Sequence, residues 1–200
     1  MKYSRFILVA LVLIVMTGCG AAAKTIAARS ASERTDVFTE VAGTETIPAG
    51  YADVGITVAI KTHLEGYYKG ESKETAHGKE SYPFLFNIDG QAIVWKAAGQ
   101  KHVLPKYEAD GRTSHDPEAG EGMKYVLNKK IRLRAGQHKL FFGLPEDDYY
   151  LEADIVLPEG KASNLELKPK YWHKHIPTRI PTFLKGVSRY DLSLNGTAIK

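Results

Sequence analysis

The sequence contains one cysteine, Cys19, and this scarcity excludes a disulfide framework, because a disulfide within the chain needs two thiols. The chain does not need one, since a domain of about 150 residues buries roughly 70% of its unfolded surface and can form its own core. In an exported protein, a lone thiol would be exposed to oxidation unless it were modified. The single cysteine therefore directs attention to the residues around it.

The chain also lacks a surplus of charge of one sign. The formal net charge is +4, and removal of residues 1–18 would leave 25 Lys and Arg against 23 Asp and Glu, a net charge of +2. These charges are interspersed, whereas nucleic-acid-binding domains gather basic residues into a patch or stripe. We therefore expect no nucleic-acid partner.

No apolar run is long enough to span a membrane. Lys2 and Arg5 precede a run of 11 apolar residues, Phe6 to Met16. A spanning helix needs about 20 such residues, whereas the apolar region of a signal peptide needs about 7 to 15. The pattern predicts a signal peptide over residues 1–18.

The run ends in Met-Thr-Gly-Cys at residues 16–19, which resembles the lipobox of bacterial lipoproteins, although that family usually has Leu where Met16 stands. The resemblance implies cleavage between Gly18 and Cys19 and a diacylglycerol on the Cys19 thiol. In this family an Asp after the cysteine usually retains the protein at the inner membrane. The presence of Gly20 therefore favours the outer membrane, with the domain facing the periplasm.

An alternative stays open, in which Cys19 is unmodified and lies beside a conventional cleavage site at Ala21-Ala22-Ala23. In either case residues 19–50, which are rich in small and charged residues, are predicted to form a flexible tether. Residues 51–200 are predicted to form a single domain. A polar loop insertion is expected at about 97–122, most simply as a solvated loop.

Apolar residues of this domain recur with a period of two, as in Val54, Ile56, Val58 and Ile60, which places them on one face of a strand. Turn sequences between such runs predict three hairpins, at Asp89-Gly90, at Ala135-Gly136 and at residues 158–160. Short strands and turns without a long helical pattern predict an all-β fold, an antiparallel sandwich of two sheets. A short strand is also possible near Val37 to Val41, within the tether.

Residues 132–171 resemble the transthyretin-like and PEGA-type β-sandwich repeats of bacterial envelope proteins, through an Arg-Ala-Gly-Gln-His start, Phe141-Phe142 and a closing Leu-Glu-Leu-Lys-Pro. This resemblance covers about a fifth of the chain. It implies an immunoglobulin-like or transthyretin-like sandwich that acts as a binding or spacer module, and it carries no active-site residues.

The pentapeptide at residues 171–175 combines Trp172 with His173 and His175, which would point to the same side of an extended chain and could share a metal. Two ligands do not complete a zinc site, so the sequence predicts no metal and no cofactor apart from the lipid. Together with Tyr67 and Tyr68, these side chains could instead form a recognition surface. They could equally be packed or exposed without a role.

The sequence contains no nucleophile elbow, zinc-protease pair or phosphate-binding glycine loop, so we expect no catalytic residue and no enzyme activity. The leading hypothesis is a lipid-anchored envelope lipoprotein that binds another envelope component or serves as a structural accessory. The alternative is a periplasmic metal-binding protein or enzyme using His173, His175 and the acidic residues of the insertion. The sequence leaves the oligomeric state open.

The lipobox resemblance leads to a first prediction. The Cys19→Ser substitution should prevent lipidation and lipoprotein cleavage, because it removes the thiol that would carry the diacylglycerol. Membrane fractionation and intact-mass measurement of the product test this expectation. Unchanged membrane retention together with an unchanged mature mass would contradict it.

Overall fold

The computed structural model describes residues 20–43, 46–172 and 181–199, and ten strands account for most of them. The elements in chain order are helix α1 (Ala21–Ser30) and strands β1 (Phe38–Glu40), β2 (Tyr51–Thr62), β3 (Ser81–Ile88), β4 (Gln91–Leu104), β5 (Gly120–Arg134), β6 (Gly136–Leu144), β7 (Tyr149–Leu157), β8 (Ala162–Tyr171), β9 (Val187–Leu194) and β10 (Thr197–Ile199). Short 3₁₀ turns lie at Pro145–Asp147 and Thr182–Lys185. The predicted all-β class is confirmed.

The strands form one mixed sheet, in the order β10-β9-β8-β2-β5-β4-β3-β6-β7, with β1 paired to β5. The β2–β8 pair is parallel, whereas the other pairs among the described strands are antiparallel. The sheet curls until it is nearly closed into a barrel. The two sheets expected from the sequence are therefore two halves of one sheet.

Strand β4 joins the two halves, because its first part pairs with β3 and its second part pairs with β5. The strand passes from one partner to the other at Gly99, where a Cβ atom would lie 2.8 Å from both the Lys79 carbonyl oxygen and the Tyr125 ring. A residue without a side chain lets the backbone come this close. The strands flanking the predicted insertion also extend further than expected, which shortens the connection to residues 105–119.

One of the three predicted hairpins forms. Strands β3 and β4 pair across Asp89-Gly90, as expected. The chain turns at Ala135-Gly136 and at residues 158–160, but β6 pairs with β3 and β7, and β8 pairs with β2 and β9. Those two turns carry the chain to the other half of the sheet, so the predictions of a second and a third hairpin are wrong.

The predicted tether contains packed structure in its described part. Helix α1 lies on the outer face of the sheet, where Ile26 packs against Leu85 and Phe141 and is 5% exposed. Arg29 forms an ion pair with Glu152 at 3.0 Å. Strand β1, near the short strand considered possible at Val37 to Val41, pairs with β5. Outward-facing apolar residues of the sheet supply the surface that the helix covers.

The inner face of the sheet holds the main core. Val54, Ile56, Val58 and Ile60 are each at most 1% exposed, as their alternation in β2 predicts. They pack in one cluster with aromatic side chains from other strands, among them Tyr82, Phe84, Phe86, Tyr125, Phe142 and Tyr190. Burial of this apolar surface is the main source of stability, at about 25 cal/mol per Å².

Asp53 is a charged residue within this otherwise apolar part of β2, and it is fully buried. Its carboxylate accepts a hydrogen bond from Arg132 Nε at 2.7 Å and lies 2.9 Å from Lys130 Nζ. The hydrogen bond from Arg132, with the charge of Lys130, lowers the pKa of Asp53 below its usual value despite desolvation. The ionised carboxylate is therefore stabilised in the folded state.

The Asp53→Asn substitution should destabilise the protein by about 3 kcal/mol at pH 7, because it removes a buried negative charge that interacts with both Arg132 and Lys130. Since the folded-state pKa of Asp53 is lowered, its contribution is complete above the unfolded pKa of about 4 and is lost as the pH falls through the folded pKa. Urea unfolding should show that the difference in unfolding free energy between the variant and the wild type is smaller at pH 3 than at pH 7. Asp36→Asn, in an exposed pair with Arg34, is the control and should leave the urea midpoint nearly unchanged at both pH values, because solvent screens exposed ion pairs. An equal difference at both pH values would contradict this assignment.

Candidate functional site

The connection from β2 to β3, residues 63–80, folds over one end of the sheet and borders a cavity of about 230 Å³. We call this cavity the end cleft. The connection contributes His63, Tyr68, Glu71 and His77 to the lining of the end cleft. The opposite side comes from Asp147 and from the segment 183–187, including Lys185. Two distant parts of the sequence therefore meet at this site.

Gly78 brings the two ends of the connection together. Its φ angle is +74°, and a Cβ atom there would lie 2.0 Å from the backbone nitrogen of Glu65. The Gly78 N–H also donates a hydrogen bond to Thr62 Oγ1 at 3.1 Å. Because the backbone at Gly78 lies directly on the backbone at residues 64–65, His63 and His77 become neighbours.

The two histidines enclose a glutamate. Oε1 of Glu71 lies 3.0 Å from His63 Nε2 and 3.5 Å from His77 Nδ1. The imidazole rings are nearly perpendicular, with centroids 5.2 Å apart. The His63 side chain is 6% exposed, and those of His77 and Glu71 are 18% and 19% exposed. One side-chain nitrogen from each histidine thus faces the same carboxylate in a largely buried setting.

The other nitrogen of each ring faces an oxygen. His63 Nδ1 lies 2.9 Å from the Leu64 carbonyl oxygen, and His77 Nε2 lies 3.4 Å from Asp147 Oδ2. The buried Tyr82 hydroxyl donates a hydrogen bond to that same Asp147 oxygen. Burial opposes protonation of His77, but the hydrogen bond and charge of Asp147, together with Glu71, raise the pKa of His77 above its usual value. Both rings are therefore held in a defined orientation.

Exposed aromatic side chains border the same region. Tyr67, Tyr68 and Trp172 are 53%, 45% and 58% exposed. The Tyr68 hydroxyl donates a hydrogen bond to the Leu184 carbonyl at 2.9 Å, and the backbone N–H of Trp172 donates one to the Gly186 carbonyl at 3.1 Å. Two members of the predicted recognition surface, Tyr68 and Trp172, therefore contact the segment at residues 184–186, and Tyr67 packs against Tyr68 with ring centroids 4.9 Å apart. The other two, His173 and His175, lie outside the described residues, as do Gly18 and Cys19.

The acidic residues of the insertion, considered above as parts of a metal site or an active site, are each engaged by their own neighbours. Asp110 pairs with Arg112, Glu121 pairs with Lys101, Asp116 accepts the Glu118 N–H, and Glu118 contacts Lys124 and Tyr171. The carboxylates stabilise turns and strand ends locally. These contacts give no support to a metal site or an active site formed by the acidic residues of the insertion.

No protein-family model, no curated protein and no solved structure matches the chain. Among residues 20–43, 46–172 and 181–199, no helix is both long and apolar enough to cross a membrane. The site therefore has to be interpreted from its own geometry.

Sequence reasoning singled out Tyr68, which lines the end cleft, but it missed the His-Glu-His cluster there. The spacings from His63 to Glu71 and from Glu71 to His77 match no short metal motif, and the cluster depends on a connection that closes on itself. The available signal was the concentration of His, Tyr and Glu between two strands, with Gly78 beside His77.

The Gly78→Ala substitution should destabilise the fold by about 3 kcal/mol, because it adds a backbone clash to the strain of a positive φ angle. Gly70→Ala is a matched control in the same connection, since Gly70 has a φ of +87° and open space where its Cβ would lie. That control should lose only about 1 kcal/mol. Urea unfolding measures both values. Similar losses for the two variants would show that Gly78 has no special packing role.

Proposed function

We propose that this protein is a lipid-anchored lipoprotein of the bacterial cell envelope that acts as a non-catalytic binding or structural accessory module. The lipobox-like sequence at residues 16–19 supports the anchor. Several buried acyl chains hold a protein on a membrane stably, whereas one chain binds only marginally. Gly20 after the cysteine favours the outer membrane, with the domain on the periplasmic side.

Helix α1 would hold a lipid on Cys19 close to the folded domain. Helix α1 begins at Ala21, two residues after Cys19, and it is packed on the sheet through Ile26. A helix of this length spans about 15 Å, so a lipid on Cys19 would hold the folded domain close to the bilayer surface. The module would then act on components near the membrane rather than at the end of a long tether.

The exposure of three aromatic residues supports the binding function: Tyr68 and Trp172 contact the segment at residues 184–186, and Tyr67 packs against Tyr68. Large aromatic side chains are enriched at protein interfaces, where they supply contact area at a low cost in side-chain entropy. The partner we propose is another envelope protein that covers Tyr67, Tyr68 and Trp172, which together we call the rim.

Photo-crosslinking in intact cells tests this proposal. A photoreactive phenylalanine analogue placed at Tyr67 or at Trp172, in the full-length chain, should yield one dominant crosslinked envelope protein that is the same for both positions. The analogue at Val156 is the control, since this β7 residue is 64% exposed and does not belong to the rim. Equal yields at all three positions, or no adduct at the two rim positions, would count against the proposed surface.

A further inference from the structure

We propose that His63, Glu71 and His77 bind a divalent first-row transition metal ion, with zinc as the reference ion. This inference goes beyond the proposed binding function and does not depend on it. It identifies a site that differs in every residue from the histidine pair considered in the sequence. One atom from each residue, a ring nitrogen or a carboxylate oxygen, lies within 4.8 Å of the others.

Two of the three separations between these atoms are close to those around a tetrahedral ion. Ligands at about 2.0–2.1 Å from zinc are roughly 3.4 Å from one another. The two distances from Glu71 Oε1 to the histidine nitrogens, 3.0 Å and 3.5 Å, are close to this separation. All three ligand atoms lie within 4.8 Å of one another, so side-chain rotations that bring the two imidazole rings towards one point would complete the fit.

The second nitrogen of each ring supports the same assignment. A histidine that binds a metal commonly donates its other N–H to a carbonyl or a carboxylate, which orients the ring and selects the tautomer. His63 Nδ1 faces the Leu64 carbonyl, and His77 Nε2 faces Asp147. With protons on those two nitrogens, His63 Nε2 and His77 Nδ1 are left with lone pairs directed towards Glu71.

Charge and burial also fit a doubly charged cation. Glu71 as a ligand and Asp147 behind His77 together supply two negative charges, which would balance the ion in a largely buried setting. Two nitrogen ligands with a single carboxylate favour zinc-class ions over calcium or magnesium, which prefer oxygen ligands. All three ligands line the end cleft, so a fourth coordination position can be filled from there by water or by a small ligand.

Zinc binding by the full-length chain, purified in detergent with a tag that contains no histidine, tests the proposal. After removal of metals by a chelator and reloading with zinc, mass spectrometry of the desalted protein should find one zinc per chain. Loading should raise the melting temperature by about 5 °C at a free zinc concentration of 100 times Kd. Substituted cobalt should give the absorption spectrum of a tetrahedral site.

Matched variants decide which residues hold the ion. Glu71→Gln preserves side-chain size and should weaken zinc binding at least tenfold, and the double variant His63→Gln, His77→Gln should abolish it. His115→Gln is the control, because this ring is 86% exposed and pairs with Glu108. Circular dichroism verifies folding, and the zinc-dependent rise in melting temperature of the wild-type chain provides a reading even where a variant folds poorly.

Three results would overturn the proposal. They are the absence of bound zinc in the wild-type chain, zinc binding that survives both variants but is lost in His173→Gln, His175→Gln, and equal binding of magnesium or calcium. None of these results bears on crosslinking at the rim, so failure of the metal site and failure of the proposed binding function can be told apart.

Discussion

The apolar side chains on the inner face of this sheet can leave water together only if the sheet curls until its two ends meet. Strand β9, near one end, and strand β7, at the other end, come together at Tyr149 and Tyr190. The Tyr190 N–H donates a hydrogen bond to the Tyr149 hydroxyl at 2.9 Å, while the Tyr190 ring packs edge-on against Phe142. A side chain therefore satisfies a backbone donor at the seam, where ladder pairing between strands is interrupted. Because an open sheet edge exposes unpaired backbone groups, this closure both buries the core and protects the edges.

The curling of the sheet also determines where the candidate site lies. The connection 63–80 must link two strands, β2 and β3, that are not neighbours in the sheet, so it crosses the end of the structure. It stays close to that end because Tyr125, a core residue, donates its hydroxyl to the Lys79 carbonyl at 2.8 Å. The site is thus built on a loop, but core residues hold both the loop and its partner Asp147, which contacts Tyr82. A preorganised site on a rigid support is what selective binding of a small ion requires.

Local sequence patterns correctly predicted the features that depend on a few adjacent residues. The alternation in β2 identified the buried face, and Asp89-Gly90 identified a true hairpin, because side-chain direction and turn geometry are properties of a few adjacent residues. Pairing partners depend on the whole sheet, so the turn at Ala135-Gly136 marked a reversal of the chain without identifying the strand that β6 would join. Helix α1 was missed because its contact with the sheet depends on Ile26, a single apolar residue in a polar segment. The His-Glu-His cluster was missed for the same reason as the pairings, since tertiary closure creates it.

The rim and the proposed ion site are neighbours, but different atoms would carry out their two functions. Tyr68 contacts the His63 ring edge-on at a centroid distance of 4.9 Å, and its hydroxyl holds the Leu184 carbonyl. The Tyr68 hydroxyl thus ties the wall of the end cleft to the Thr182–Lys185 turn, whereas the atoms proposed to hold the ion are ring nitrogens of His63 and His77 and a carboxylate oxygen of Glu71. Because no aromatic residue of the rim supplies a ligand atom, loss of the ion is expected to leave the rim in place, and the two proposals stand or fall separately.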